Sequence, residues 1–519
     1  MSRQPCITTP HHELAASPLN TARFGQRSPT GVPGLDDILD GGFIAERLYL
    51  IDGRPGAGKT TLALQYLLSG AAQSERCLYI TLSESAEELR ANARSHGWSL
   101  DAIEIFELMA EDVAQGDGGL VMYHPSEVEL SETTRKVLDV VWRIQPQRLV
   151  FDSLSELRLL AQNSLRYRRQ ILALKQHFAG AACTVLLLDD RTAEGEDLQL
   201  QSIAHGVITL DHRSPDYGAA LRQLQVLKFR GSAFRSGLHD LEIVRGGMRV
   251  FPRLVAAEHG RSFARESVPS GVDRLDTLLG GGIDRGTATL LLGAAGTGKS
   301  TVALQYAAAA ALRGEHAAIF SFEEAAAILL DRAQQLGIPV QEGVGPGQII
   351  IRRLDPGEVL PGQFAHLVRA VVEEDHATVI IIDSLNGYLT AMPEERALHV
   401  QLHELMSYLN NFGVATFIVA AQNGLLESLQ APIDASYLAD TVVHLRLFEH
   451  KGEVKKAISV LKKRSGRHEQ TIRQLWFDEK GVHLSEPLLG LRGVLSGIPT
   501  ELDPPARPGA PTQRAADAG

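Results

Sequence analysis

Short apolar runs without alternation punctuate the chain: Leu48–Ile51, Leu149–Phe151 and Thr184–Leu188, then Thr289–Leu292, Ile380–Ile382 and Ala415–Ala420. Unbroken apolar runs of this length suit strands buried on both faces, and such strands belong to parallel sheets covered by helices. Helical segments lie between them, including Leu62-Ala-Leu-Gln-Tyr66 and Val302-Ala-Leu-Gln-Tyr306. Strand alternating with helix predicts an α/β fold with a mainly parallel sheet flanked by helices.

The pattern runs through twice. Thr30-Gly-Val-Pro-Gly-Leu-Asp-Asp-Ile-Leu-Asp-Gly-Gly42 matches Ser270-Gly-Val-Asp-Arg-Leu-Asp-Thr-Leu-Leu-Gly-Gly-Gly282, each reading as a short helix closed by glycines. An apolar strand follows and runs directly into Gly53-Arg-Pro-Gly-Ala-Gly-Lys-Thr60 in one copy and Gly293-Ala-Ala-Gly-Thr-Gly-Lys-Ser300 in the other. One ordered series of motifs repeated in this way marks a duplication. The fold is therefore expected to be two tandem RecA-like P-loop NTPase domains, at residues 28–249 and 267–497. A linker is expected at 250–266, and a disordered leader (1–27) and a Pro- and Ala-rich disordered tail (498–519) at the ends.

Composition narrows the function classes. The 519 residues contain no apolar run long enough to span a bilayer, which argues against a membrane protein. The leader lacks a basic segment ahead of an apolar core, so it does not read as a secretory signal. Cys6, Cys77 and Cys183 are too scattered for a zinc site or disulfide framework, and a reducing cytoplasm fits best. A net charge of −11 disfavours a nucleic-acid coating protein, whose binding draws on neutralised phosphates.

The glycine-rich loops carry the candidate chemistry. Strand, loop and helix in that order give the pattern G-x-x-x-x-G-K-[ST] its physical meaning: backbone N–H groups aimed at phosphates from a helix N-terminus. The ATP-binding residues expected are Gly53, Gly56, Gly58, Lys59 and Thr60 in the first copy, and Gly293, Gly296, Thr297, Gly298, Lys299 and Ser300 in the second. Lys59 and Lys299 would place a cation on the β- and γ-phosphates. Thr60 and Ser300 would supply a hydroxyl to Mg²⁺, with Asp152 and Asp383 at their strand ends holding the metal or its waters.

Turning over ATP also requires an acid near the γ-phosphate. Copy two offers Glu323 and Glu324, of which Glu323 is also a candidate metal ligand; copy one has Ser83 and Glu84 there. Acids in that place could instead cap the following helix. Late in each copy comes a basic pair, Lys228 with Arg230 and Lys462 with Arg464, followed by Gly, Ser and then His239 or His468. Strand alternation would turn both cations of a pair to one face, within reach of one phosphate group; charges on an edge strand could also serve only to block aggregation.

Together with Ile382-Asp-Ser-Leu-Asn-Gly-Tyr388, Tyr437-Leu-Ala-Asp-Thr441 and Lys455-Lys-Ala-Ile-Ser-Val-Leu-Lys-Lys-Arg-Ser465, these motifs resemble the KaiC-like family of clock ATPases over about residues 28 to 497. The resemblance implies a two-tiered homohexamer with nucleotide clamped between protomers, and the Lys228/Arg230 and Lys462/Arg464 pairs acting across that interface. It implies a slow ATPase in the first tier, slower still with Ser83 in place of glutamate, and γ-phosphate transfer to protein hydroxyls in the second. Ser436 then aligns with the family's phosphorylated serine, Tyr437 stands where the adjacent threonine would be, and Glu323 would activate the acceptor with Glu324 in support. Regulatory or signalling proteins are the implied partners. Two other classes stay open, a RecA-type recombinase or helicase and an ATP-gated scaffold; the acidic balance and the lack of a separate DNA-binding module weigh against the former.

Overall fold

The computed structural model describes residues 25–108, 125–161, 163–180, 182–190, 198–214, 220–344, 347–390, 395–422 and 437–502. Ser436 lies outside the described residues. The chain forms two compact units, the first ending at Arg253 and the second starting at Leu254.

In the first unit, α1 (Leu35–Ile38) precedes β1 (Leu48–Gly53), α2 (Lys59–Ala72), β2 (Cys77–Thr81), α3 (Ala86–Ser95) and β3 (Glu104–Glu107). Next come α4 (Pro125–Ile144), β4 (Arg148–Asp152), α5 (Leu154–Ala161), α6 (Ser164–Gly180), β5 (Thr184–Asp189) and α7 (Leu198–Ile203). Strands β6 (Gly206–Arg213), β7 (Leu221–Phe229), β8 (Leu238–Val244) and β9 (Gly247–Phe251) close it.

The second unit opens with α8 (Asp273–Leu278), β10 (Ala288–Gly293), α9 (Lys299–Leu312), β11 (His316–Ser321), α10 (Ala326–Gln335) and β12 (Ile349–Arg353). It continues with α11 (Pro361–Glu373), β13 (Ala377–Asp383), α12 (Leu385–Thr390), α13 (Glu395–Asn411) and β14 (Ala415–Ala421). Strands β15 (Thr441–His450), β16 (Glu453–Lys463), β17 (Arg473–Asp478) and β18 (Gly481–Pro487) complete its sheet.

Each unit carries one nine-stranded sheet, and the two sheets have one topology. The orders are β3-β2-β4-β5-β1-β6-β7-β8-β9 and β12-β11-β13-β14-β10-β15-β16-β17-β18. The first six strands of each are parallel and the last three are added antiparallel. The unbroken apolar runs have their reason here. Tyr49 and Ile51 of β1 pack under α2 on one face, while Leu48 and Leu50 enter a second core on the other. Because β5 separates β1 from β4, the loop after β1 and the acid ending β4 face one crevice at the carboxyl edge of the sheet, where open α/β sheets bind ligands.

The repeated opening motif is also explained. Asp36 Oδ1 accepts from the Thr30 N–H at 2.9 Å, and Asp276 Oδ1 accepts from the Ser270 N–H at 2.7 Å, closing the turn ahead of each short helix. Residues from 254 onward pack on the second unit. The Ala256 N–H donates to Glu404 at 2.9 Å, and Asn411 Nδ2 donates to the carbonyls of Ala256 and His259 at 3.0 and 3.2 Å. Phe263 fills the space over Gly286 and Gly413, where any Cβ would approach its ring within 2.5 Å. Among the described residues no helix is long and apolar enough to cross a membrane.

Candidate functional site

In both units the loop after the central strand curls so that a glycine in the left-handed region opens the next helix, Gly58 at φ 104° and Gly298 at φ 98°. Gly53 and Gly293 are also obligatory. A Cβ there would meet the carbonyl oxygens of Leu210 and Leu445 at 2.4 and 2.2 Å, so the end of the central strand fits against its neighbour only without a side chain. The helices α2 and α9 start at the loop lysines, and their first N–H groups remain for an anion.

The lysines fold back onto their own loops. Lys59 Nζ donates to the carbonyls of Gly53 and Arg54 at 2.8 and 3.1 Å; Lys299 Nζ donates to those of Gly293 and Ala294 at 2.9 and 2.8 Å. Both are buried. Burial pulls the Lys299 ammonium below its usual range, against the pull of Asp383 and Glu323.

The acids ending β4 and β13 take matching roles. Asp152 accepts from the Tyr79 hydroxyl at 2.5 Å with the Thr60 hydroxyl beside it, and Asp383 has the Ser300 hydroxyl beside it. Burial pushes both carboxyls above the carboxylate range, with those hydroxyls opposing it. An acid so shielded from water, beside the loop hydroxyl, suits a divalent cation, which would hold it ionised. Among the described residues no group of three or more His, Cys, Asp or Glu could hold a metal alone. Mg²⁺ binds through one or two protein oxygens together with phosphates and water. The Asp152–Ser153 and Asp383–Ser384 peptide bonds are both cis.

Beyond these common parts the two sites differ. Thr81 pairs with Asp152 across the sheet and Ser321 with Asp383, so Ser83 corresponds to Glu323 and Glu84 to Glu324. In the second unit the Ser384 hydroxyl donates to Glu323, and Glu324 is paired with Arg332 at 2.7 Å. In the first, Ser83 is exposed, and Glu84 is raised by burial and by the nearby Asp152. A carboxylate absent from the sequence expectations stands beside Lys59: Asp190 Oδ1 lies 2.7 Å from its Nζ. The signal was available, an acidic pair closing the run Thr184–Leu188, where copy two has Ala420 and Ala421.

Next to the second loop a cleft of about 400 Å³ is lined by Gly296, Lys299, Ser300, Arg332, Leu336 and Phe477. Lys456 Nζ sits 4.8 Å from the Phe477 ring centroid, and Phe477 closes against Gly298. The space adjoins the phosphate cradle and offers an apolar wall, as a nucleoside requires. Phe477 and Arg332 carry no sequence motif; strand pairing and helix packing bring them here.

The basic pairs lie farther along. Lys228 Nζ donates to the carbonyls of Gln201, Ser202 and Ala204 at 2.6, 3.3 and 2.7 Å, and Lys462 Nζ to that of Ala439 at 2.8 Å. Arg230 is exposed in the turn past β7, and Arg464 lies past β16 with Asp440 at 3.6 Å.

Comparison with known proteins agrees with this geometry. The model of the KaiC ATPase family matches the chain twice, over residues 28–255 and 268–488. The circadian clock protein KaiC3 of Synechocystis is 24% identical over 483 residues, covering 91% of this chain and 94% of that protein. The circadian clock oscillator protein KaiC of Synechococcus elongatus is 24% identical, covering 91% and 92%. KaiC2 of Synechocystis is 25% identical, covering 91% and 83%.

Proposed function

The chain belongs to the KaiC family of ATPases, and from that premise we propose that both loops bind ATP with Mg²⁺ and that ATP is hydrolysed. The second unit also passes the γ-phosphate to a serine, Ser436, and the protein works as a signalling or clock-type regulator in the cytoplasm. The reading rests on one repeated observation: a buried lysine folded into a glycine loop, with the next residue's hydroxyl beside an acid that ends a strand two places away. Two independent copies of that arrangement support nucleotide binding at each. Relatives that carry the name of clock oscillator proteins support the regulatory role.

In this reading Lys59 and Lys299 leave their loop carbonyls for the β- and γ-phosphates, while the backbone N–H groups that open α2 and α9 cradle the anion. Mg²⁺, held by Thr60 with Asp152 and by Ser300 with Asp383, withdraws charge from the phosphates when bound. At the second site Glu323 takes the proton of the attacking hydroxyl, with Ser384 orienting it and the Glu324–Arg332 pair holding the strand end. At the first site Glu84 orients water.

The test uses purified full-length chain with Mg²⁺ and γ-labelled ATP. Lys299→Ala should remove labelled protein, and Lys59→Ala should lower phosphate release at the first site by about 10²-fold or more, the scale of losing a preorganised charge. Ser436→Ala should stay unlabelled. Label persisting in Ser436→Ala would remove that acceptor, and absence of phosphate release by the parent protein would overturn the ATPase reading.

A further inference from the structure

The two sites exchange a carboxylate between strands two places apart in the sheet. In the second unit the acid after β11 is Glu323, which accepts from the Ser384 hydroxyl, and the residue closing β14 is Ala421. In the first unit the matching residue, two past the end of β2, is Ser83, which has no carboxylate to offer. Sheet registers identify the partner positions: Leu292 and Gly293 pair with Ala420 and Ala421, while Asp52 pairs with Asp189. Asp190 therefore stands where the second unit has Ala421. Serine hydroxyls follow the acid. Ser153, the counterpart of Ser384, bonds Ser155 at 2.5 Å and Asp190, and Ser155 donates to Asp190 Oδ2 at 3.1 Å.

We propose that Asp190 is the base of the first site, deprotonating the attacking water that Glu84 orients and supplying from the end of β5 the carboxylate that Ser83 lacks. This rests on the proposed hydrolysis at that site and deepens it. Asp190 Oδ1 lies 2.7 Å from Lys59 Nζ, the group that meets the terminal phosphates, so its carboxylate stands at the γ-phosphate end of the cradle. Burial works against its charge, but the Lys59 ammonium holds the carboxyl below its ordinary range, leaving it ionised and able to accept a proton at neutral pH. As nucleotide enters, its phosphates take over the Lys59 ammonium and Asp190 is released toward water. The water oxygen then bonds to the γ-phosphorus as its proton passes to Asp190. The bond from that phosphorus to the β–γ bridging oxygen breaks, ADP and inorganic phosphate leave, and the proton returns to solvent.

The assignment separates turnover from binding. In full-length Lys299→Ala protein, whose phosphate release reports the first site, Asp190→Asn should lower kcat by about 10²-fold or more, the scale of a lost general base. The affinity for a fluorescent ATP analogue should hold or tighten, because Lys59 loses its competitor. The exchange Ser83→Glu with Asp190→Ala should recover turnover. Turnover in Asp190→Asn as fast as in its parent, affinity lost in step with kcat, or an exchange variant that binds nucleotide yet stays inactive would each overturn the proposal while first-site hydrolysis stands. No phosphate release by Lys299→Ala protein would instead remove first-site hydrolysis, and this role with it.

Discussion

His239 follows the first basic pair in sequence, yet its side chain is wholly buried within the antiparallel end of the first sheet. Its Nδ1 accepts from the Arg253 N–H at 2.9 Å, so the ring N–H at Nε2 is turned to the Arg235 carbonyl at 3.0 Å. Burial drives its pKa down from 6.5 to about 4, the Arg235 carbonyl opposing and the charges of Arg235 and Arg253 adding to the fall. The unfolded chain therefore takes up this proton first as pH drops. Stability from His239 is complete above about 6.5 and drains away as pH falls toward about 4. His205, lowered to about 4 by burial and the neighbouring Lys175, acts in the same sense. Urea unfolding of the first unit should show a falling midpoint between pH 7 and pH 5, and His239→Gln should make that fall shallower; an unchanged slope would contradict the assignment. Sequence could single out this histidine by its position but not by its role, since burial comes from strands that meet only after folding.

The motif-bearing elements were legible because their signals are local. Loop, lysine, hydroxyl and strand-end acid all lie within short stretches whose apolar runs and glycines mark a strand turning into a helix. The basic pairs were less so, because reading them assumed a strand running through both residues, whereas β7 ends at Phe229 and β16 at Lys463. In the structure both strands slip register just ahead of the pair. Val207 faces Lys228 and Ile208 faces Val226, so Leu227 is extra; Val442 faces Lys462 and Val443 faces Val460, so Leu461 is extra. Each bulge leaves its leucine nearly half exposed. In the first unit the strand beyond the bulge aims Lys228 at the last carbonyls of α7, a favourable place for a cation at a helix C-terminus. Lys228→Met should free that end at a cost of about 1 kcal/mol, so amides of α7 exchange roughly five times faster by mass spectrometry. Unchanged exchange would show that the lysine does not hold the helix.

The two units share strand order, strand direction and bulge position, which is how a duplicated chain keeps one scaffold while its sites diverge. Divergence is concentrated in charge. Asp52, Asp189 and Asp190 of the first unit stand where the second has Leu292, Ala420 and Ala421. Arg230 and Arg464 occupy equivalent turns just past their strands, outside the lysines that each unit uses internally. Assembly into a two-tiered homohexamer with these arginines reaching a neighbour's nucleotide is the arrangement to test. Sedimentation with ATP and Mg²⁺ should give six-chain particles and smaller species without nucleotide, and Arg230→Ala with Arg464→Ala should still bind ATP while turning it over more slowly. A single-chain species in both conditions would exclude the ring.

One packing detail bears on how the protein is divided for experiments. Because Phe263 is seated over Gly286 and Gly413, and Asn411 grips the backbone at 256 and 259, the stretch ahead of residue 267 is upholstery of the second unit rather than slack between two. A recombinant half begun at the motif itself would leave that socket bare and oily. The cut belongs at Arg253, where the contacts change owner.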